Sequence, residues 1–155
     1  MLHGDVQYAH EKIPELIKPL LNNEPDAVFG SRMLRGNPLS QGMPIWKYVG
    51  NKFLTAAENL ALGMHLSEYH SGFRAYSCKA LRQLPISQFT DGYHFDTEII
   101  IALRKANMRI KEIAIPTHYG PESHQISLLK SLKYGFEILK LIYSYSTARI
   151  NNSKN

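Results

Sequence analysis

The stretch FDTEIIIALRKANMRIKEIAIP at residues 95–116 decides the fold class. Phe95, Ile99, Ala102, Leu103 and Ala106 recur at helical spacing, which predicts a helix with that face buried. Thr90, Asp91 and Gly92 supply capping chemistry just ahead of it. The second half, Ile110-Lys111-Glu112-Ile113-Ala114-Ile115, is rich in β-forming residues and is stopped by Pro116, so it reads as a strand. A helix followed within a few residues by a strand is the building unit of an α/β fold.

Working toward the N-terminus, Ser71-Gly72-Phe73-Arg74-Ala75-Tyr76 alternates small or polar with aromatic residues, as a strand does, and a short helix around Cys78–Leu84 ends at Pro85. Pro44 and Gly63 bracket a further helix, proline near its first position and glycine just past its end, with Ile45, Val49, Phe53, Ala56 and Leu60 marking one face. Before it, Gly36, Asn37, Pro38, Ser40 and Gly42 make residues 33–43 a flexible loop by composition. Ala27-Val28-Phe29-Gly30 reads as a short buried strand behind the turn-forming run Asn22–Asp26. Ile13, Leu16, Ile17, Leu20 and Leu21 predict a helix that Pro14 suits and Pro19 weakens or kinks.

Toward the C-terminus, residues 126–148 give the clearest helical pattern. Leu129, Leu132, Phe136, Leu139 and Tyr143 form its stripe, flanked by Leu128, Ile138, Ile142 and Tyr145, with Lys130, Lys133 and Lys140 in a basic column alongside. Core packing is the expected use of that stripe, and a membrane-surface helix is the alternative. The tail beyond Ile150 is expected to fray. No linker is long enough to divide the chain, so residues 1–150 read as one unit with a disordered tail at 151–155.

With 155 residues the chain can bury a sizeable core, and its apolar share excludes a disordered chain. The 18 basic against 13 acidic side chains leave a formal charge of +5, which favours an anionic partner, with a slightly basic soluble surface as the alternative. Cys78 is the only cysteine, so no intrachain disulfide can form, which is compatible with a reducing compartment. No signal peptide is read at the N-terminus and no apolar window is long enough to span a bilayer.

Four clusters carry candidate chemistry. His3-Gly4-Asp5-Val6-Gln7 offers a carboxylate that suits a hard divalent cation bridging a diphosphate, with an exposed turn as the alternative. Gly30-Ser31-Arg32 places a guanidinium at a strand's C-terminal end, where open α/β sheets bind ligands and where its fork suits phosphate; a surface salt bridge is the alternative. Residues 66–74 gather Glu68, His70, Ser71 and Arg74 around Gly72, so that Glu68 or His70 can accept a proton from an attacking hydroxyl; for His70, a structural hydrogen bond is the more common use of a lone histidine. Ser71 lacks the surroundings of a hydrolase nucleophile. The loop His118–His124 can close over a diphosphate through Ser123 and His124; a zinc site from His118 and His124 has neither a cysteine partner nor a recognised spacing.

In this order, HGDVQY, FGSR, GMPIWKYVGNKFLT, LSEYHSGFRAYS, FDTEIIIALRKANMRIKEIAIPTHYG and PESH make the chain resemble the family 2 glycosyltransferases over residues 1 to about 145. The resemblance is to the C-terminal part of the catalytic domain, and to members similar to dolichyl- or polyprenyl-phosphate sugar synthases and bacterial cell-surface polysaccharide enzymes. It implies the second half of a GT-A (Rossmann-like) domain, a mixed sheet with flanking helices, without the N-terminal nucleotide-binding half. It implies a nucleotide-sugar donor, a polyprenyl-phosphate or glycan acceptor, a divalent metal (Mg or Mn), and metal-dependent, inverting transfer in cell-wall or polysaccharide biosynthesis. His3-Gly4-Asp5 falls on the family's Asp-X-Asp motif, with His in place of the first Asp, so Asp5 and His3 are the implied metal ligands. Gln7, Arg32, Ser123 and His124 fall at donor- or phosphate-binding positions, and Arg32, Lys47, His70 and Arg74 on the acceptor side. Glu68 falls where members carry an acidic base or acceptor-site residue, commonly Asp, and it joins Asp5 as the implied catalytic pair. Asp96 and Glu98, in the first turns of a helix, suit capping or packing.

The expected setting is the cytoplasm, with peripheral contact at the cytoplasmic face of a membrane. Two other classes stand beside this reading. One is a truncated, non-catalytic fragment or subunit completed by a complementary chain or by a homo-oligomer. The other is a basic nucleic-acid-binding module, which the net charge permits but no recognised motif supports, so no nucleic-acid partner is expected.

Overall fold

The computed structural model describes residues 10–34, 38–90, 95–116 and 128–152. After a single turn at His10–Lys12 come α1 (Ile13–Leu21), β1 (Ala27–Ser31), α2 (Ile45–Leu62), β2 (Arg74–Tyr76), α3 (Cys78–Gln83), a turn at Ile86–Gln88, α4 (Phe95–Lys105), β3 (Ile110–Ala114) and α5 (Leu128–Asn152). The mixed α/β class expected from the sequence is what the chain adopts.

Among the described residues, three strands form one mixed sheet in the order β2-β1-β3. β1 lies in the middle, antiparallel to β2 with Val28 opposite Ala75, and parallel to β3 with Phe29 opposite Glu112. All five of its residues are buried. Its alternation feeds two apolar clusters, as a strand's period of two requires. Ala27 and Phe29 join Leu62, Leu66, Tyr69, Leu84, Ile99, Ile100, Ile101 and Leu103, whereas Val28 joins Leu16, Phe73 and Ile115. The sheet is therefore covered on both faces, by α4 and the end of α2 on one side and by α1 on the other. Gly30 is fixed by close approach, since a Cβ there would stand 2.8 Å from Phe73 Cδ1 and 2.9 Å from Ile115 Cδ1.

The helix boundaries follow their punctuation. Gly63 ends α2 in the left-handed conformation at φ 62°. The Ser77 side chain caps α3 by accepting from the Ala80 N–H. Helix α1 continues through Pro19 to Leu21 rather than stopping there, and Pro19 is itself buried. The strand read over residues 71–76 is confined to Arg74–Tyr76, because Arg74 and Ser71 turn their polar groups inward.

Two apolar stripes face outward. On α5, Leu129, Leu132, Phe136 and Tyr143 are exposed, while Ile138 and Ile142 enter the core. The expectation that the 129/132/136/143 stripe packs inside is thus corrected. On α2, Ile45, Val49, Phe53 and Leu60 are exposed, and the buried face consists of Asn51, Thr55, Glu58 and Leu62. The two helices pack on each other, with Leu54 of α2 against Gly135 of α5. On α4 the anticipated face is buried at Ile99 and Leu103, while Ala106, just past the helix end, is exposed.

Candidate functional site

β1 and β3 run in parallel, so their C-terminal ends open on the same edge of the sheet, the edge where α/β folds place ligands. Ser31 closes β1 there. Its hydroxyl lies 2.6 Å from the Ser67 hydroxyl and accepts from the Met33 N–H. Ser67 in turn donates its N–H and hydroxyl to the Glu112 carboxylate on β3. These bonds moor the segment 66–74 to both strands and set Glu68 beneath Arg32.

Glu68 is enclosed by donors. Its Oε2 accepts the Arg32 backbone N–H at 2.8 Å, and its Oε1 accepts Arg32 Nε at 2.7 Å and Asn51 Nδ2 at 2.9 Å. Arg32 Nη2 also bonds Oε1, completing a two-pronged ion pair. Burial works to raise the Glu68 pKa, but the Arg32 charge and hydrogen bonds outweigh it and hold the carboxyl below the usual range. Glu68 is therefore an ionised group whose oxygens are spent on Arg32 and α2.

Arg32 keeps 12% of its side chain exposed at the sheet edge and reaches the His70 carbonyl through Nη2. Lys47, in the first turn of α2, lies near it. Partial burial, and then the Arg32 charge, lower the Lys47 pKa. Two cations that feel each other's charge in partly desolvated surroundings favour an anion near them.

His70 and Arg74 point inward. The His70 ring is nine-tenths buried, with Nε2 3.4 Å from Oε2 of the buried Glu58. Arg74, 1% exposed, donates to the carbonyls of Ser71, Tyr69 and Asp96, sits over the Phe29 ring, and lies 3.5 Å from Asp96 Oδ1. Glu98 accepts from the Thr90 N–H and hydroxyl ahead of α4. The structure thus brings Arg32, Lys47 and Glu68 to one edge and directs His70 and Arg74 into the wall behind it. His3, Asp5, Gln7, Ser123 and His124 lie outside the described residues. Among the described residues, no group of three or more His, Cys, Asp or Glu side chains is placed to hold a metal ion.

Asn51, Glu58, Ser67 and Glu112 also build this edge and are not expected from the sequence. The one available signal was the spacing of Asn51, Thr55 and Glu58 on α2, but a polar stripe ordinarily reads as the solvated side of a helix.

Residues 1–85, more than half of the chain, match the model of glycosyl transferase family 2. The chain belongs to this family. A relative described as the uncharacterized protein MJ1222 of Methanocaldococcus jannaschii is 32% identical over 140 residues, covering 90% of this chain and 56% of its own length. The UDP-N-acetylglucosamine–dolichyl-phosphate N-acetylglucosaminyltransferase of Methanococcus voltae is 34% identical over 75% of this chain and 46% of its own length. The low-salt glycan biosynthesis hexosyltransferase Agl6 of Haloferax volcanii is 33% identical over 74% of this chain and 27% of its own length. This family 2 chain thus spans about half the length, or less, of these curated relatives. No solved structure matches it. No helix among the described residues is long and apolar enough to cross a membrane.

Proposed function

We propose that this chain carries the acceptor side of a glycosyltransferase that moves a sugar from a nucleotide-sugar donor to a polyprenyl phosphate at the cytoplasmic face of a membrane. The observation that carries this reading is the neighbouring pair Arg32 and Lys47 at the C-terminal end of β1, with Arg32 fixed from below by Glu68. A phosphate monoester fits between such cations and is already ionised near neutral pH. Its oxygen can attack the anomeric carbon from the side opposite the departing nucleoside diphosphate, which inverts that centre. No base is then needed, in keeping with a Glu68 whose oxygens are all engaged. A glycan hydroxyl would need a base, and Glu68 could serve only by giving up Arg32 or Asn51. The dolichyl-phosphate acceptor in the name of one relative points the same way.

The implied divalent metal remains assigned to Asp5 and His3, where it would offset charge on the leaving diphosphate. Gln7, Ser123 and His124 remain assigned to the donor. His70 and Arg74 contribute to the acceptor side by fixing the wall on which Arg32 rests. The outer faces of α2 and α5 supply a membrane-docking surface. They expose Ile45, Val49, Phe53, Leu60, Leu132 and Phe136 beside Lys52, Lys130, Lys133 and Lys140. Apolar side chains next to lysines suit an anionic lipid surface.

The decisive assay follows labelled sugar from a panel of nucleotide sugars onto polyprenyl phosphate and, separately, onto a glycan hydroxyl. Arg32→Ala should lower transfer to the phosphate by about 100-fold, the usual effect of losing one oriented charge donor. Unchanged transfer in that variant would end the reading. Donor calorimetry on the chain addresses the rival in which a complementary chain supplies the donor site, since micromolar nucleotide-sugar binding would exclude it.

A further inference from the structure

Helix α2 is moored to the segment 66–74 by Asn59, which bonds the Leu66 backbone and the Tyr69 hydroxyl, and reaches it at two further places. At the first, Asn51 meets Glu68. At the second, two turns further along the helix, Glu58 meets His70. The two contacts differ in kind. The first is saturated with hydrogen bonds. In the second, Glu58 is fully buried, its Oε1 accepts from the Thr97 hydroxyl at a long 3.5 Å, and its Oε2 has no hydrogen-bond partner among the described residues. Both ring nitrogens of His70 also lack a hydrogen-bond partner among the described residues. A carboxylate oxygen and an imidazole nitrogen repel as two lone pairs when neither carries a proton, and the proton that joins them can sit on the carboxyl or on Nε2 of the neutral ring. One proton between Oε2 and Nε2, with a small closing of the 3.4 Å gap, satisfies both.

We propose that Glu58 is a positioning residue that works by holding this one proton, locking His70 to α2 so that the His70 carbonyl stays in place for the Arg32 guanidinium. The lock deepens the acceptor reading above and rests on it only for its consequence in catalysis. The groups facing the pair come from every element around it. Arg74 and Tyr69 belong to the same segment, and Thr97 and Asp96 to α4. Tyr134 of α5 stands edge-on to the His70 ring at 5.8 Å. Arg32 and Glu68 also act on the imidazole through their charges. Of the cations, Arg74 is engaged with Asp96 and three carbonyls, and Arg32 with Glu68, so neither closes on Glu58. Burial raises the Glu58 carboxyl to about 8, with the Arg74 charge and the Thr97 bond opposing, and burial lowers His70 to about 4 despite the Glu68 charge. At neutral pH the pair thus holds its proton on the carboxyl, with the imidazole accepting.

The sign of the pH dependence follows from these directions. Glu58 contributes stability that is full below its unfolded value of 4.5 and is lost as pH rises through about 8. His70 contributes in the opposite sense, present above 6.5 and lost as pH falls through about 4. The window from pH 6.5 to about 8 therefore isolates Glu58.

The test compares thermal unfolding of the full chain with that of Glu58→Gln across this window. An amide can donate to His70 but cannot ionise, so the native chain should lose stability as pH rises and the variant should not. Equal slopes would overturn the lock. Should Glu58→Gln fail to fold, carbon NMR of the native chain decides instead: a glutamate carboxyl titrating near 8 supports the lock, and the titration of every glutamate in the usual acidic range overturns it. In the transfer assay, Glu58→Leu, which can neither donate to His70 nor accept from it, should raise the KM for polyprenyl phosphate several-fold while kcat holds, and Glu58→Gln should keep the native KM. A Glu58→Leu variant with the native KM overturns the link to Arg32. Absence of transfer by the native chain at every pH would strike the acceptor reading and leave the unfolding result to stand or fall separately.

Discussion

Helices α2 and α4 contribute to the same core cluster and use their two faces in opposite ways. α4 buries Ile99, Ile100, Ile101 and Leu103 and ends in exposed Lys105, the ordinary arrangement for a helix on a sheet. α2 buries Asn51, Thr55 and Glu58, with only Leu62 as an apolar anchor, and leaves Ile45 71%, Phe53 63% and Leu60 87% exposed. Burying one such side chain is worth about 1.5–3 kcal/mol, so several left outside forfeit a large sum unless something covers them. The difference teaches that amphipathicity locates two faces without saying which one looks inward. A helix that lines a polar site on one side and meets an apolar surface on the other inverts the usual rule.

Glu68→Ala, which removes the ion held by the inner face of α2, should cost about 4 kcal/mol in denaturant unfolding, because Arg32 loses its partner in a largely buried place. Leu103→Ala, on the buried face of α4, should cost about 3 kcal/mol by the same measurement. Asn51→Leu makes the inner face of α2 conventional in pattern. It should still destabilise by about 2 kcal/mol, since Glu68 loses a donor it needs; a stabilised variant would mean that the polar face is dispensable. Phe53→Ser and Leu60→Ser should change stability by no more than about 0.5 kcal/mol, being already in solvent. The same pair should weaken sedimentation with anionic vesicles. Loss of stability with unchanged vesicle binding would mean that this face is covered from within.

Much of the framework was legible from residues alone. The Val28-Phe29 and Ile110–Ile115 runs have no use but as strands, and Gly63 and Pro44 punctuate α2 as their backbone preferences dictate. Arg32 and Glu68 were singled out on opposite sides of a long gap, and the fold joins them directly. What could not be read was the inward turn of His70 and Arg74, the service of Asn51 and Glu58, and the outward stripes of α2 and α5. Each depends on which neighbour occupies a face, and a periodic pattern carries no such information.

By itself, then, the sequence determined the alternation of helix and strand, the ends of the helices and the membership of a transferase family, because these follow from local backbone preference and from motifs in order. Only the tertiary structure decided that Glu68 is an engaged anion while Glu58 is suited to keep its proton. Both are buried glutamates, and what separates them is the number of donors that the fold brings within reach of each.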